Sequence, residues 1–287
     1  MKICGVVVTY YPEKDCVDNI MLYLPWIDHL IIWENTPDKD AVNYRLKVPE
    51  PYKDKVSYLS TGKNEGIAKA LNDSARWAIE HGYTHLLTMD QDSKWQNFEY
   101  YAGKISEDKD TDVGAYAPTV LDSVRNISNF NSENQIITSG AVYVLKNFPA
   151  TGPFCEEFSI DCVDTEYSFR QRLKGYKIKI IEKAILVQAF GNLKWVPLLK
   201  CYHANYSPFR IYHIARNSVW MWRMYRKTAV IPAGFLKRNI IYWYVLREPV
   251  LIVMKGKNKV KTLFSLFRGL CEGFIKYPST LKKYIDC

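Results

Sequence analysis

The 287-residue sequence contains no C-x-x-C pair, and its seven cysteines (4, 16, 155, 162, 201, 271 and 287) are odd in number. That argues against a disulfide framework and against a cysteine zinc site, and predicts reduced thiols in a cytosolic compartment. The last third holds no run of 18 uninterrupted apolar residues. Its best candidate, 239–254, is broken by Arg247-Glu248-Pro249 and predicts an interfacial or buried segment rather than a membrane span. Met1-Lys2-Ile3-Cys4 leads straight into an apolar run without a basic n-region or a small-residue cleavage site, which predicts no signal peptide. A Gly-rich triphosphate loop with its lysine is represented only weakly, by residues 61–66. Disorder and low complexity are poor readings, because 48% of the residues are apolar and 14% aromatic.

What is present suffices for one large α/β domain or two small ones with a sizeable core. The net charge of +9 is unevenly placed. From Trp195 onward there are 17 Lys/Arg against three Asp/Glu, a local net of +14, and the remainder carries −5. An acidic body with a strongly basic last third suggests an anion-seeking surface, for nucleic acid or anionic lipid.

The first ninety residues alternate between two periods. Ile3-Cys4-Gly5-Val6-Val7-Val8-Thr9 is a continuous run of the kind expected for a strand buried on both faces, and 29–33, 56–59 and 85–88 are three further strand candidates. Residues 16–27 form an apolar-rich helix candidate, and Ile67, Leu71, Ala75 and Trp77-Ala78 recur at helical spacing. This β-α-β-α order predicts a parallel sheet covered by helices. In such sheets ligands bind beyond the carboxyl ends of the strands. All four ends are polar here: Thr9-Tyr10-Tyr11-Pro12, Glu34-Asn35-Thr36, the stretch 61–66, and Asp90-Gln91-Asp92-Ser93. The middle, 110–190, mixes short strands with a helix over 164–173. Tyr206-Ser207-Pro208 opens a helical stretch in the last third.

Asp90-Gln91-Asp92 is the sharpest chemical feature. Two carboxylates one residue apart in extended backbone project the same way and can hold one hard cation with water and phosphate oxygens. The plainer reading is a solvated turn with Asp92-Ser93 capping the next helix. Asn64-Glu65-Gly66 opens the second helix, where Gly66 permits close backbone approach and the free amides suit an anion. Asn64 serves equally well there as an ordinary N-cap. The cluster Asp161-Cys162-Val163-Asp164-Thr165-Glu166 precedes Arg170. Glu166 and Arg170 read as i,i+4 partners, whereas Asp161 and Asp164 are free to supply a base. Thr138-Ser139-Gly140-Ala141 reads either as a small strand start that lets a ligand approach the backbone or as an ordinary bulge. His203 and His213, near Arg210 and Arg216, read as packing or surface residues.

Taken together and in this order, VVVTYYP, NEGIAKALN, MDQDS, TSGAVY, FCEEFSIDCVDTEYSFR and SPFRIYHIARN resemble the rhamnosyltransferase branch of the family 2 glycosyltransferases, over about residues 3–220. The resemblance implies an α/β fold of the GT-A-like, Rossmann-related, mixed-sheet kind with a helical, basic C-terminal extension. It implies Asp92 on a Mg²⁺ or Mn²⁺ ion, Asp90 on ribose or metal, and Asp164 as catalytic base. Thr9, Tyr11, Asn35 and Asn64 would surround the nucleotide. Glu34, Gly66, Asn72 and Gln91 are further donor contacts expected from the same strand ends and helix. Ser139, Gly140, Asp161, Glu166 and Arg170 are expected on the acceptor side.

Gln188 stands near a position where relatives carry histidine. The Q-x-x-R-W motif of processive relatives is missing, since the only Arg-Trp pair is Arg76-Trp77. The expected activity is therefore inverting, non-processive transfer of one sugar from a nucleotide-diphosphate donor, with dTDP-rhamnose the usual donor of the branch. The acceptor would be a saccharide or lipid-linked saccharide in bacterial surface polysaccharide synthesis. The expected location is cytoplasmic, peripheral on the inner face of the membrane, with no nucleic-acid partner. The expected organisation is a nucleotide-sugar half (1–93), an acceptor and catalytic half (94–194) and a basic aromatic region (195–287). Metal-dependent nucleotidyl transfer and a non-enzymatic membrane or nucleic-acid binding module are the competing readings.

Overall fold

A computed structural model describes residues 1–125, 130–191, 193–232 and 234–286. The chain runs β1 (Ile3–Thr9), α1 (Cys16–Met21), β2 (His29–Glu34), α2 (Asp38–Ala41), β3 (Val56–Ser60), α3 (Ile67–Glu80) and β4 (His85–Asp90). β1 alternates strictly: Cys4 and Val6 pack with Ala68, Leu71 and Ala75 of α3, while Ile3 and Val7 pack with Cys16 and Ile20 of α1. Both faces of the strand are covered, which is why its sequence is apolar throughout. The helix expected over 16–27 is shorter. It stops at Met21 and gives way to a single 3₁₀ turn, Leu24–Trp26, where Pro25 has no amide to continue the helical ladder.

Next come β5 (Lys94–Trp95), α4 (Phe98–Glu107), β6 (Val113–Asp122), β7 (Ala141–Val144), α5 (Phe148–Thr151), α6 (Val163–Leu173) and β8 (Lys177–Gln188). The eight strands form one sheet in the order β3-β2-β1-β4-β7-β6-β8-β5. The first four are mutually parallel. β7 runs antiparallel to both β4 and β6, and β5 antiparallel to β8. This is a mixed sheet with helices on both faces, and it brings the carboxyl ends of β4 and β8 to one edge of the site.

A hairpin, β9 (Lys194–Val196) and β10 (Cys201–His203), leads to α7 (Pro208–Tyr225), α8 (Phe235–Asn239), a π-helical stretch (Ile240–Arg247), α9 (Glu248–Lys255), α10 (Lys259–Ile275) and α11 (Lys283–Asp286). α7 starts where the sequence predicts. Ser207 Oγ accepts from the Arg210 amide at 3.2 Å and Pro208 fills the first helical position. α10 packs along α7 at Gly269 and Gly273, where a Cβ would collide with Tyr212 O and Val219 respectively. Ile211, Ala215 and Val219 share a third core there with Ile252, Leu266 and Leu270. Among the described residues no helix is long and apolar enough to cross a membrane. Cys4, Cys16, Cys155, Cys162, Cys201 and Cys271 are free thiols, and Cys287 lies outside the described residues.

Candidate active site

The carboxyl ends of the parallel strands are level: Thr9 pairs with Glu34, Glu34 with Ser60, and Val8 with Asp90. Thr9 Oγ1 donates to Trp33 O at 3.2 Å. Tyr11 adopts φ 45°, donates its amide to Thr36 Oγ1 (2.8 Å) and its phenol to Asp40 Oδ2 (2.6 Å), and meets Tyr44 edge to face. Asn35 is buried. Its Oδ1 accepts from Trp33 Nε1 and the Glu65 amide, and its Nδ2 donates to Gly66 O at 3.3 Å. The loops after β2 and β3 are thereby tied together. Gln91 brackets Tyr10, accepting from its amide at 2.8 Å and donating to its carbonyl at 3.2 Å. Burial raises the pKa of the Glu34 carboxyl above the ordinary value.

Asn64 is not the N-cap of α3. Gly66 is, at φ 80°, and Asn64 Oδ1 accepts from its amide at 2.9 Å. A Cβ at Gly66 would lie 2.9 Å from Ser159 O, so conformation and close approach both require glycine.

β4 ends at Asp90, and Gln91-Asp92 turn away, so the extended geometry expected for the two carboxylates stops at the first of them. Asp92 is exposed. Gln188 Nε2, from the end of β8, donates to Asp90 Oδ2 at 2.8 Å. Burial, then the neighbouring Asp92 carboxylate, push Asp90 up to about 7, and Asp164 adds to the rise. Ser93 caps no helix. It is buried, and its Oγ accepts from Ser139 Oγ at 2.7 Å.

The turn before α6 is strained: Asp161 and Cys162 stand at φ 61° and 69°. α7 holds it there. Arg210 grips Asp161 with two bonds, of 2.9 and 3.1 Å, and Asn217 Nδ2 donates to Ile160 O and Asp161 O. Asp164 lies in the first turn of α6. Burial raises its pKa against the lowering pull of the Thr165 amide, which donates to Oδ1 at 2.7 Å. Asp161 and Asp164 both line a cavity of about 430 Å³ that extends to Tyr206, His203 and the C-terminal helices.

Five of the residues expected to contact ligands have partners within the fold. Asn72 is fully buried, and its amide bonds to the Phe154 amide and carbonyl and to Glu156. Ser139 is buried, accepts from the Asp90 amide at 3.2 Å and so positions the β4 turn. Gly140 is buried at φ 79°, its open side filled by Leu186, Pro118 and Trp95. Glu166 and Arg170 form a fully buried double-bonded pair. Thr151 O, Pro153 O and the Tyr225 hydroxyl complete it. These five residues hold the fold together through the partners named. Arg210 and the Gln188–Asp90 contact are additions that residue spacing missed. The SPFR motif was the nearest signal for Arg210, which lies 49 residues from Asp161, and Gln188 was marked only as standing near a histidine position of relatives.

No protein-family model matches the chain. It is 27% identical over 283 residues to the dTDP-rhamnosyl transferase RfbF of Shigella flexneri, covering 91% of each chain. Its fold is similar to that of the mannosyltransferase PcManGT from Pyrobaculum calidifontis in complex with GDP-Man and Mn²⁺ (TM-score 0.58, 14% identity, 99% of this chain and 78% of that one). It is also similar to residues 1–349 of S. aureus TarS in complex with UDP-GlcNAc (TM-score 0.59, 14% identity, 99% and 84%). Against the longer TarS structure the TM-score is 0.57 at 15% identity, with 99% of this chain covered, and the chain spans 50% of that protein's length.

Proposed function

We propose that this rhamnosyltransferase-like member of the family 2 glycosyltransferases moves a single sugar from a nucleoside-diphosphate donor to an acceptor hydroxyl, with inversion at the anomeric carbon. The observation that carries the reading is the placing of Asp90 at the carboxyl end of β4, among the polar strand ends, and of Asp164 on the wall of the cavity of about 430 Å³. One closes β4, the other lies in the first turn of α6, and burial raises the pKa of both. Asp164 is the base. It takes the acceptor hydroxyl proton while that oxygen bonds to the anomeric carbon and the bond to the diphosphate oxygen breaks on the opposite face. Its raised pKa suits proton uptake, and Asp161, held by Arg210, is less free to serve. The donor of the Shigella relative, a dTDP-rhamnose by that protein's name, is the first donor to test here.

Asp90 and Asp92 fit a hard cation. Gln188 Nε2 takes up Asp90 Oδ2, so Asp90 Oδ1 and the Asp92 carboxylate are the oxygens that would hold the ion. Among the described residues no three His, Cys, Asp or Glu converge, so donor phosphates would complete the shell. Such an ion, Mg²⁺ or Mn²⁺, would offset charge on the departing diphosphate. The Mn²⁺ complex of the Pyrobaculum mannosyltransferase supports that choice. Thr9, Tyr11, Glu34, Asn35, Asn64, Gly66 and Gln91 form the donor side, within a nucleotide-sugar portion (1–93) and an acceptor portion (94–194). The basic region (195–287) provides peripheral contact with the membrane inner face and brings in a saccharide or lipid-linked saccharide acceptor.

A panel of nucleotide sugars scored by nucleoside-diphosphate release, with divalent metal and with chelator, tests this reading. Release from one donor, at least a hundredfold slower with chelator or in Asp92→Ala, is expected. Full activity in excess chelator removes the metal, and no release from any donor removes the activity.

A further inference from the structure

α10 divides its faces. Leu266, Gly269, Leu270 and Gly273 pack onto α7, while Val260, Phe264, Phe267 and Phe274 are between 46% and 83% exposed. Their spacing puts these four side chains on one stripe along the helix. The stripe ends beside a cavity of about 490 Å³ between the C-terminal end of α7 and residues 277–285. Phe274 meets Trp222 edge to face at 5.8 Å, and the Arg226 guanidinium lies over the same indole at 5.1 Å.

The cavity is cationic. Arg223, Arg226, Lys227 and Lys282 line it, and no acid does so among the described residues. Among those residues none of the four cations pairs with a carboxylate, whereas Lys177 and Lys179 on β8 face Asp110 and Asp108. Acids on the neighbouring elements are engaged elsewhere. Glu272 is taken up by Tyr212, Arg268 and Lys276, and Glu157 by Lys283 and Tyr284. Arg223 is fixed in place: its Nη1 donates to Gly273 O and Phe274 O at 3.1 and 2.7 Å, and its guanidinium lies over Tyr277 at 4.3 Å. Like charges gathered round one concavity repel each other, and a bound anion relieves that repulsion. Guanidinium forks match the oxygens of a phosphate. A soluble phosphate accounts for the cations but not for the stripe. A lipid phosphate accounts for both, since its headgroup meets the cations while the apolar side chains enter the headgroup boundary.

We infer that this cavity receives the phosphate headgroup of an anionic lipid, with the outward stripe of α10 lying along the membrane surface. The inference rests on the reading of residues 195–287 as a membrane-contacting region and names the part of it that grips lipid.

The test is co-sedimentation of the intact chain with phosphatidylcholine vesicles that contain phosphatidic acid or phosphatidylserine, adjusted to equal surface potential. Phosphatidic acid presents a terminal phosphate, whereas phosphatidylserine covers its phosphate with serine. The intact chain should bind the phosphatidic acid vesicles about tenfold tighter. Lys227→Gln with Lys282→Gln, both at exposed positions, should melt like the parent and bind the two kinds of vesicle alike. Lys259→Gln with Lys261→Gln removes the same charge at the other end of α10. It should weaken binding to both vesicles about fivefold per lysine and keep the preference. An intact chain without the preference, or a Lys227/Lys282 variant that retains it, overturns the headgroup cavity. Glycerol 3-phosphate bound as tightly as the vesicles would assign the cavity to a soluble phosphate and overturn it too. An intact chain that binds neither anionic vesicle overturns the membrane reading as well.

Discussion

The sheet portion and the last ninety residues contain similar apolar material and place it oppositely. In β1 the side chains of Ile3, Cys4, Val6 and Val7 are all buried. In the C-terminal region Leu246, Val253, Phe264 and Ile275 are between 53% and 78% exposed, amid a local net charge of +14. α10 shows both behaviours on one helix: Leu266 and Leu270 pack onto α7, while Val260, Phe264 and Phe267 face outward. One region therefore uses apolar surface to fix polar strand ends in place. The other leaves an apolar, basic surface exposed, the combination that favours an anionic lipid interface.

Substitutions should separate these roles. The largest effect is expected at Asp164. Asp164→Asn keeps shape and an accepting oxygen but takes no proton, so transfer should fall about 10²- to 10⁴-fold with nucleotide affinity and melting temperature retained. An active Asp164→Asn beside an inactive Asp161→Asn would assign the base to Asp161. Glu166→Gln acts on the fold instead. It leaves Arg170 buried with its charge uncompensated and should cost about 3–5 kcal/mol in denaturant unfolding. A loss below about 1 kcal/mol would mean the pair is not the clamp described.

In the C-terminal region, Phe264→Ser with Phe267→Ser should weaken co-sedimentation with phosphatidylserine vesicles about tenfold per ring, with melting unchanged because both rings already face solvent. Raised salt should release the parent protein. Parent-like vesicle binding by the double variant would show that these rings lie off the contact surface.

The smallest effect concerns acid stability in the sheet. Burial, with the charges of the N-terminus and Lys146, depresses the His85 pKa to about 4 from an unfolded value near 6.5. The folded state favours the neutral ring. Its contribution is full above about pH 6.5 and is lost as pH falls toward 4. His85→Gln should flatten the decline of melting temperature across that window, and an unchanged decline would place its origin elsewhere.

Much of the sheet portion is legible because its signals are local. The run Ile3–Thr9, the spacing of Ile67, Leu71 and Ala75, and the Ser207-Pro208 cap each act within a few residues, and the strands and helices stand where these signals put them. The candidate site was legible only as residue types. Asn72, Ser139, Gly140, Glu166 and Arg170 have the chemistry of ligand contacts, yet each is occupied by the fold. Conversely, Gln188 and His203 gave little signal, and the structure ties them to Asp90 and Glu248, carboxylates far along the chain.

The sequence by itself determined the alternation of strand and helix, the polar strand ends, the acidic motifs and the basic aromatic last third, because side-chain periodicity and backbone preference are short-range properties. Only the tertiary structure decided which polar atoms are satisfied and which face a cavity. The bonds of Arg210 to Asp161, Gln188 to Asp90 and His203 to Glu248 span 49, 98 and 45 residues. Which polar atoms the fold takes up, and which it leaves for a ligand, depends on contacts made across the whole chain.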